Sequence, residues 1–451
     1  MKKQSQSVWI ITFILLGAMI LTACDPLITA QSSLNQSSNQ GSTVTDPEGQ
    51  SEASPTSTAE SFDLLNEAGE TENNQATVPT DQNGNSPDDE SPEEGPEETL
   101  LQTVGPDNFP EGINPLTGLP VKNSDLLKLP PALISVSNFP ASGRPQAGLN
   151  SSPIVIELTV GQGMTRFLVM FYGAYPEQAS GQTEGEPASI GPIRSGRLPY
   201  EDIRKIYSGF LVMASAYSAV GETLSQTTSV FGSDEDDINS AMVDVTKLAQ
   251  IAQSRSESYA GQNFSLEGML FSQTPPENGF TADQAWVFYS KLNQIQWRFD
   301  PELGAYIRYD ISTDGSGEFT MATDRLTGEP LTRENVIVLF AEHDYQAPTL
   351  IDIDLTNKPP TKAILFRDGE MHEIFWTTRY GDFEQTTGLL RPIRFVDAEG
   401  NPVPLKHGQS WIHLVSPASN YLESALRDAP FNPMVPEEGT GLWLVRYRGL
   451  Y

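Results

Sequence analysis

No lysine or arginine occurs between Lys3 and Lys122, while 17 acidic residues lie between Asp25 and Gly105. The rest of that stretch is mostly Ser, Thr, Asn, Gln, Pro and Gly, as in S-P-D-D-E-S-P-E-E-G-P-E-E at 86–98. Such a composition cannot bury enough apolar surface to offset the entropy of ordering the chain. Residues 24–105 are therefore expected to form a disordered acidic tether. Random-coil scaling gives it a reach of about 50 Å, extended further by self-repulsion. Folding is confined to the residues after 105.

The tether also explains the charge. The 451-residue chain has 59 Asp and Glu against 27 Lys and Arg, a net of −32. About half of that excess sits in the tether, so the remaining body is only mildly acidic. Nucleic acid is a poor partner, because its phosphates call for a basic groove.

The single cysteine excludes an internal disulfide and a cysteine metal cage. Its setting gives it another role. Lys2 and Lys3 precede an apolar run, Val8 to Ile20, that is short for a membrane span. Leu21-Thr22-Ala23-Cys24 comes next as a lipoprotein cleavage box. Residues 1–23 are read as a signal peptide and Cys24 as the lipidated residue, two or three acyl chains giving firm attachment. The expected location is the extracytoplasmic face of a membrane, with the membrane as first partner. The rival reading is an ordinary membrane helix with an incidental cysteine.

Behind the tether the expected class is α+β: a mixed α/β domain at 106–295, then a β-rich domain at 296–451. Ala132–Phe139, Pro153–Leu158, Thr165–Tyr172 and Phe210–Ala216 are near-continuous apolar runs that suit buried strands. Pro199 opens a helix, with Glu201 and Asp202 in its first turn and Arg204 and Lys205 later, as the helix dipole favours. Thr281-Ala282-Asp283-Gln284 has a capping-box pattern and predicts a helix carrying Trp286, Phe288 and Leu292. From about Trp297, short apolar runs alternate with hairpin-type turns.

Four stretches, taken in order, resemble the YerB-like lipoproteins, a bacterial family of largely unassigned function. They are N-P-L-T-G-L-P-V, N-F-P-A-S-G-R-P-Q-A-G-L, I-V-I-E-L-T-V-G-Q-G-M-T-R-F-L and I-G-P-I-R-S-G-R. Farther on, F-D-P-E-L-G-A-Y-I-R, E-N-V-I-V and L-K-H-G-Q-S-W-I are similar too. The resemblance spans roughly residues 113–416 and implies an exported, membrane-anchored, two-domain protein with no established reaction. This chain departs from the family at two positions beside Asn138. Ser137 stands where an acid is usual, and Phe139 where a His is common.

The candidate ligand-binding residues are Asn138, Arg144, Gln146, Glu157, Thr165, Arg166, Arg194, Ser195 and Arg197. Ligand sites gather near strand ends in α/β sheets, and arginine forks hold phosphate or carboxylate. The backbone of Ser195-Gly196, ahead of the Pro199 helix, would add N–H donors. The opposing reading is a buried Arg166–Glu157 pair that fixes the sheet, with Arg194 and Arg197 gripping loop carbonyls.

Catalysis has less support. Ser195 lacks a nucleophile elbow. The four histidines all fall in the second half, without zinc-type spacing. The acidic run at 233–240 lacks the order of a calcium loop and reads as solvated. No cofactor or metal is expected. Trp376, Trp411 and Trp443 are available for stacking on sugars, but in β-rich folds such residues are ordinarily core. The function expected is non-enzymatic binding of an anionic envelope component or a protein partner. The alternatives are an enzyme acting on phosphate- or pyrophosphate-linked envelope precursors, and a structural assembly factor.

Overall fold

The strands expected at the start of the body all form. In the computed structural model they are β1 (Ala132–Ser137), β2 (Ile154–Gly161), β3 (Met164–Phe171) and β4 (Phe210–Met213). Helix α1 (Tyr200–Ile206) begins after Pro199 and carries the anticipated charges, with Glu201 bonded to Arg204 at 2.7 Å. A longer helix, α2, spans Val245–Ser258.

The structure describes residues 102–176, 188–258, 264–425 and 435–450, all within one compact unit. The expected signal peptide, Cys24 and the tether up to residue 101 lie outside the described residues. The last residues assigned to the tether need correction. Thr103–Val104 is a short strand paired with Leu270–Ser272, because Val104 is apolar enough to join the core.

The predicted helix after Thr281 is also corrected. Gln284–Ser290 is a strand, β5, and it turns back into β6 (Asn293–Asp300). The boundary expected between residues 295 and 296 falls inside β6. Six further strands matter for the site: β7 (Ala305–Ile311), β8 (Asn335–Phe340), β9 (Thr361–Arg367), β10 (Glu370–Thr377), β11 (Ser410–Val415) and β12 (Leu442–Arg446). The body is β-rich overall.

Among the described residues the central sheet has eleven strands, with the order β10-β9-β8-β11-β2-β3-β1-β4 through its middle. β11 is inserted parallel between β8 and β2, so one sheet takes strands from both halves of the sequence. A second sheet has the order β7-β6-β5-β12.

Successive side chains of a strand point to opposite faces. From β2, Ile154, Ile156 and Leu158 join a core with Tyr200, Ile203 and Ile206 of α1. Val155 points the other way and joins Phe167, Val287, Trp297 and Tyr306, so this face of the central sheet packs on the second sheet. Both faces are covered, which is why these strands read as unbroken apolar runs. Trp376, Trp411 and Trp443 are all buried.

The hairpin joining β2 to β3 turns through Gly161, Gln162 and Gly163, all at positive φ. At Gly161 a Cβ would lie 1.7 Å from the Pro348 carbonyl oxygen, so only glycine permits this approach.

Candidate functional site

The nine candidate residues divide between the two faces of the central sheet. In the register of β2 with β3, Glu157 pairs with Phe167 and Leu158 pairs with Arg166. Glu157 thus faces the second sheet, and Arg166 faces the opposite core. The anticipated Arg166–Glu157 pair does not form, because the two-residue period of the strand separates them.

Glu157 is completely buried and meets Arg308 instead, at 2.9 Å. Its other oxygen accepts from Thr165 Oγ1 at 2.7 Å and Asn138 Nδ2 at 3.3 Å. Trp411 Nε1 donates to the Arg308-bound oxygen at 3.1 Å. Arg308 Nε also donates to Asp310 at 3.0 Å, and its guanidinium lies 4.5 Å from the centre of the Trp411 ring. Arg144 is tied in through Asn138 Oδ1, at 3.1 and 2.8 Å.

Burial pushes the Glu157 carboxyl up, but the Arg308 guanidinium outweighs it and holds the group below its ordinary range. Burial likewise opposes the charge on Arg308, and Asp310 and Glu157 overcome it.

His413 was not among the candidates. Its strand, β11, places it in register with Glu157 of β2, with Nδ1 3.5 Å from the carboxylate. Trp297 Nε1 donates to His413 Nε2 at 2.9 Å, which assigns the proton to Nδ1. Burial brings this imidazole down to about 4, so it is neutral at ordinary pH. Arg308 bridges the two buried carboxylates, Arg144 adds positive charge on the side of Asp310, and the group ties the two sheets together.

The other face is different. Arg166, Arg194 and Arg197 line one cavity of about 650 Å³. Among the described residues, none of the three has a carboxylate partner. Their hydrogen bonds go to main-chain carbonyls. Arg166 reaches Ser195 O at 3.2 Å, Arg194 reaches Ile238 O at 3.1 Å, and Arg197 has a long bond to Gly196 O at 3.4 Å. The Nε atoms of all three are buried with no hydrogen-bond partner. Burial, together with the neighbouring Arg197 and Arg194, brings Arg166 down to about 10. Burial and Arg197 lower Arg194 as well.

The loop carrying Arg194 and Arg197 is pinned beside β1. Arg194 N–H donates to Ser135 O at 2.8 Å, and Gly196 N–H donates to Ser215 O at 2.7 Å. The expected use of the Gly196 N–H for an anion is thus corrected: that donor is already taken. Ser195 holds Arg166 through its carbonyl. Gln146 donates to Ser137 O at 2.9 Å and supports the end of β1. In the acidic run, Asp234 and Asp237 accept from N–H groups two residues on, at 3.0 and 2.8 Å.

Residues 116–263 match the N-terminal domain, and residues 285–412 the C-terminal domain, of a family described as protein of unknown function DUF3048. The chain is 24% identical over 315 residues to "Putative lipoprotein YerB" of Bacillus subtilis (strain 168), covering 67% of this chain and 85% of that one. The chain belongs to the YerB-like family. It also matches the crystal structure of YerB protein from Bacillus subtilis with a TM-score of 0.49 and 23% identity, over 67% of this chain and 96% of that chain.

The two departures beside Asn138 both lie next to arginines of the candidate group. Ser137 is in register with Arg166 across β1 and β3, so a serine faces the guanidinium where the family resemblance led us to expect an acid. Phe139 lines the cavity and lies under Arg144, 5.1 Å from ring centre to guanidinium.

Proposed function

We propose that this YerB-like protein is anchored at the extracytoplasmic face of a membrane through Cys24 and binds an anionic partner without turning it over. The anion is an envelope component or a group on a protein, held in the cavity lined by Arg166, Arg194 and Arg197. One observation carries this reading: three guanidiniums share a cavity, with unpartnered Nε atoms and no carboxylate partner among the described residues. Uncompensated arginines at this density are costly unless an anion completes them, and forked donors suit phosphate or carboxylate.

Binding is favoured over catalysis by where the acid–base groups sit. Glu157 and His413 are sealed on the other face of the sheet and engaged with Arg308 and Trp297. An enzyme using the arginines would have to find its general acid or base elsewhere.

The test is a thermal melt of the full chain with increasing pyrophosphate, beside an Arg194→Ala/Arg197→Ala variant. A ligand selective for the folded state raises stability by mass action. The expected result is a concentration-dependent rise in the parent that the variant loses. A parent indifferent to anions, with a variant several kcal/mol less stable, would mean an internal clamp and end this reading.

A further inference from the structure

The geometry points to an amphiphilic phosphate as the ligand of the arginine cavity: a phosphoryl or pyrophosphoryl head among Arg166, Arg194 and Arg197, carried on an apolar chain. This rests on the reading of the cavity as an anion site and adds the class of molecule.

The head is set by charge and geometry. A carboxylate brings one negative charge and two oxygens to three guanidiniums. A phosphate monoester brings about −1.5 to −2 and three acceptor oxygens, and a pyrophosphate brings more. Arg166, buried to 7% exposure, has an unpartnered Nε and lines the cavity that such a head would fill.

The apolar chain is set by the walls and the size. Phe139, Val160, Met164 and Leu292 line the same cavity. A volume of about 650 Å³ suits an organic molecule of many atoms rather than a bare ion. One of these apolar side chains, Leu292, stands 56% exposed. It gives the cavity an apolar lip where a hydrocarbon chain would lie.

The test places the full chain in phosphatidylcholine nanodiscs and tracks its melting temperature with added hexyl phosphate, inorganic phosphate or hexanol. Burying part of a six-carbon chain should let hexyl phosphate act at a concentration roughly tenfold below inorganic phosphate, with hexanol inert. Arg166→Gln/Arg197→Gln should abolish both phosphate responses. Leu292→Ser, at an exposed position, should narrow the gap between hexyl phosphate and inorganic phosphate while keeping the latter's effect. Equal potency of the two phosphates would overturn the amphiphile and leave the anion site standing. No response to either phosphate would remove both. A second set of nanodiscs containing phosphatidic acid separates the sources. Stabilisation without added ligand identifies a membrane headgroup, and stabilisation only by hexyl phosphate identifies a soluble ester; each supports the shared chemistry.

Discussion

Glu157 and Arg166 project from opposite faces of one sheet, although their strands are adjacent. Charge that looks like a single cluster in the sequence is thus two structures: a closed, neutralised group on one face and an open, uncompensated one on the other.

The closed group should be costly to break. Arg308→Met would leave Glu157 and Asp310 buried without their cation. The expected loss is about 3–5 kcal/mol in urea unfolding at an unchanged slope. Arg194→Ala/Arg197→Ala, which strands no carboxylate, should change stability by less than about 1 kcal/mol. Similar losses in the two variants would contradict the division.

A carboxylate supplied from within should close the arginine cavity. Ser137 faces Arg166 across β1 and β3, so Ser137→Asp places an acid beside that guanidinium. Stabilisation by pyrophosphate should then need at least about tenfold more ligand, since the anion would compete with an internal ion. Ser137→Asn, of similar size and uncharged, should keep the parent's response. Unchanged pyrophosphate binding in the Asp variant would place the anion elsewhere.

Acid should weaken the fold well before the carboxylates titrate. His343, His372 and His413 are each brought by burial from an ordinary 6.5 to about 4. Between those values the unfolded chain holds more protons than the folded one, so stability falls as pH falls from about 6.5 to 4. For buried His413 the slope approaches about 1.4 kcal/mol per pH unit. Glu157 and Asp310, both held low, add a further loss of the same sign at still lower pH. Chemical denaturation from pH 4.5 to 7 should give a shallower slope for His413→Gln than for the parent. Parallel slopes would mean that His413 charges freely in the folded protein.

The strands and α1 were legible because their signals are local. Apolar runs marked β1 to β4, and Pro199 with the charges after it marked α1. The stretch after Thr281 misled because A-W-V-F-Y lies in a strand with apolar residues on both faces, which removes the polar–apolar alternation. A capping-box pattern then decided the reading, and strand pairing overrode it. The arginines were legible as a group, but their separation from Glu157 depends on register. Arg308 and His413 were beyond reach, because they meet Glu157 across 151 and 256 positions through pairings that no local pattern encodes.

The insertion of β11 beside β2 has a consequence for synthesis. Residues 154–157 wait for residues 410–413 before the middle of the sheet can close. A chain made from its N-terminus would leave one edge of the largely apolar β2 unpaired until the last tenth of the sequence emerged. Folding of such high contact order is slow, and an open edge of that kind invites pairing with other chains. A premature stop anywhere before residue 410 would leave that edge permanently open, and the truncated product should be an aggregate rather than a smaller working domain.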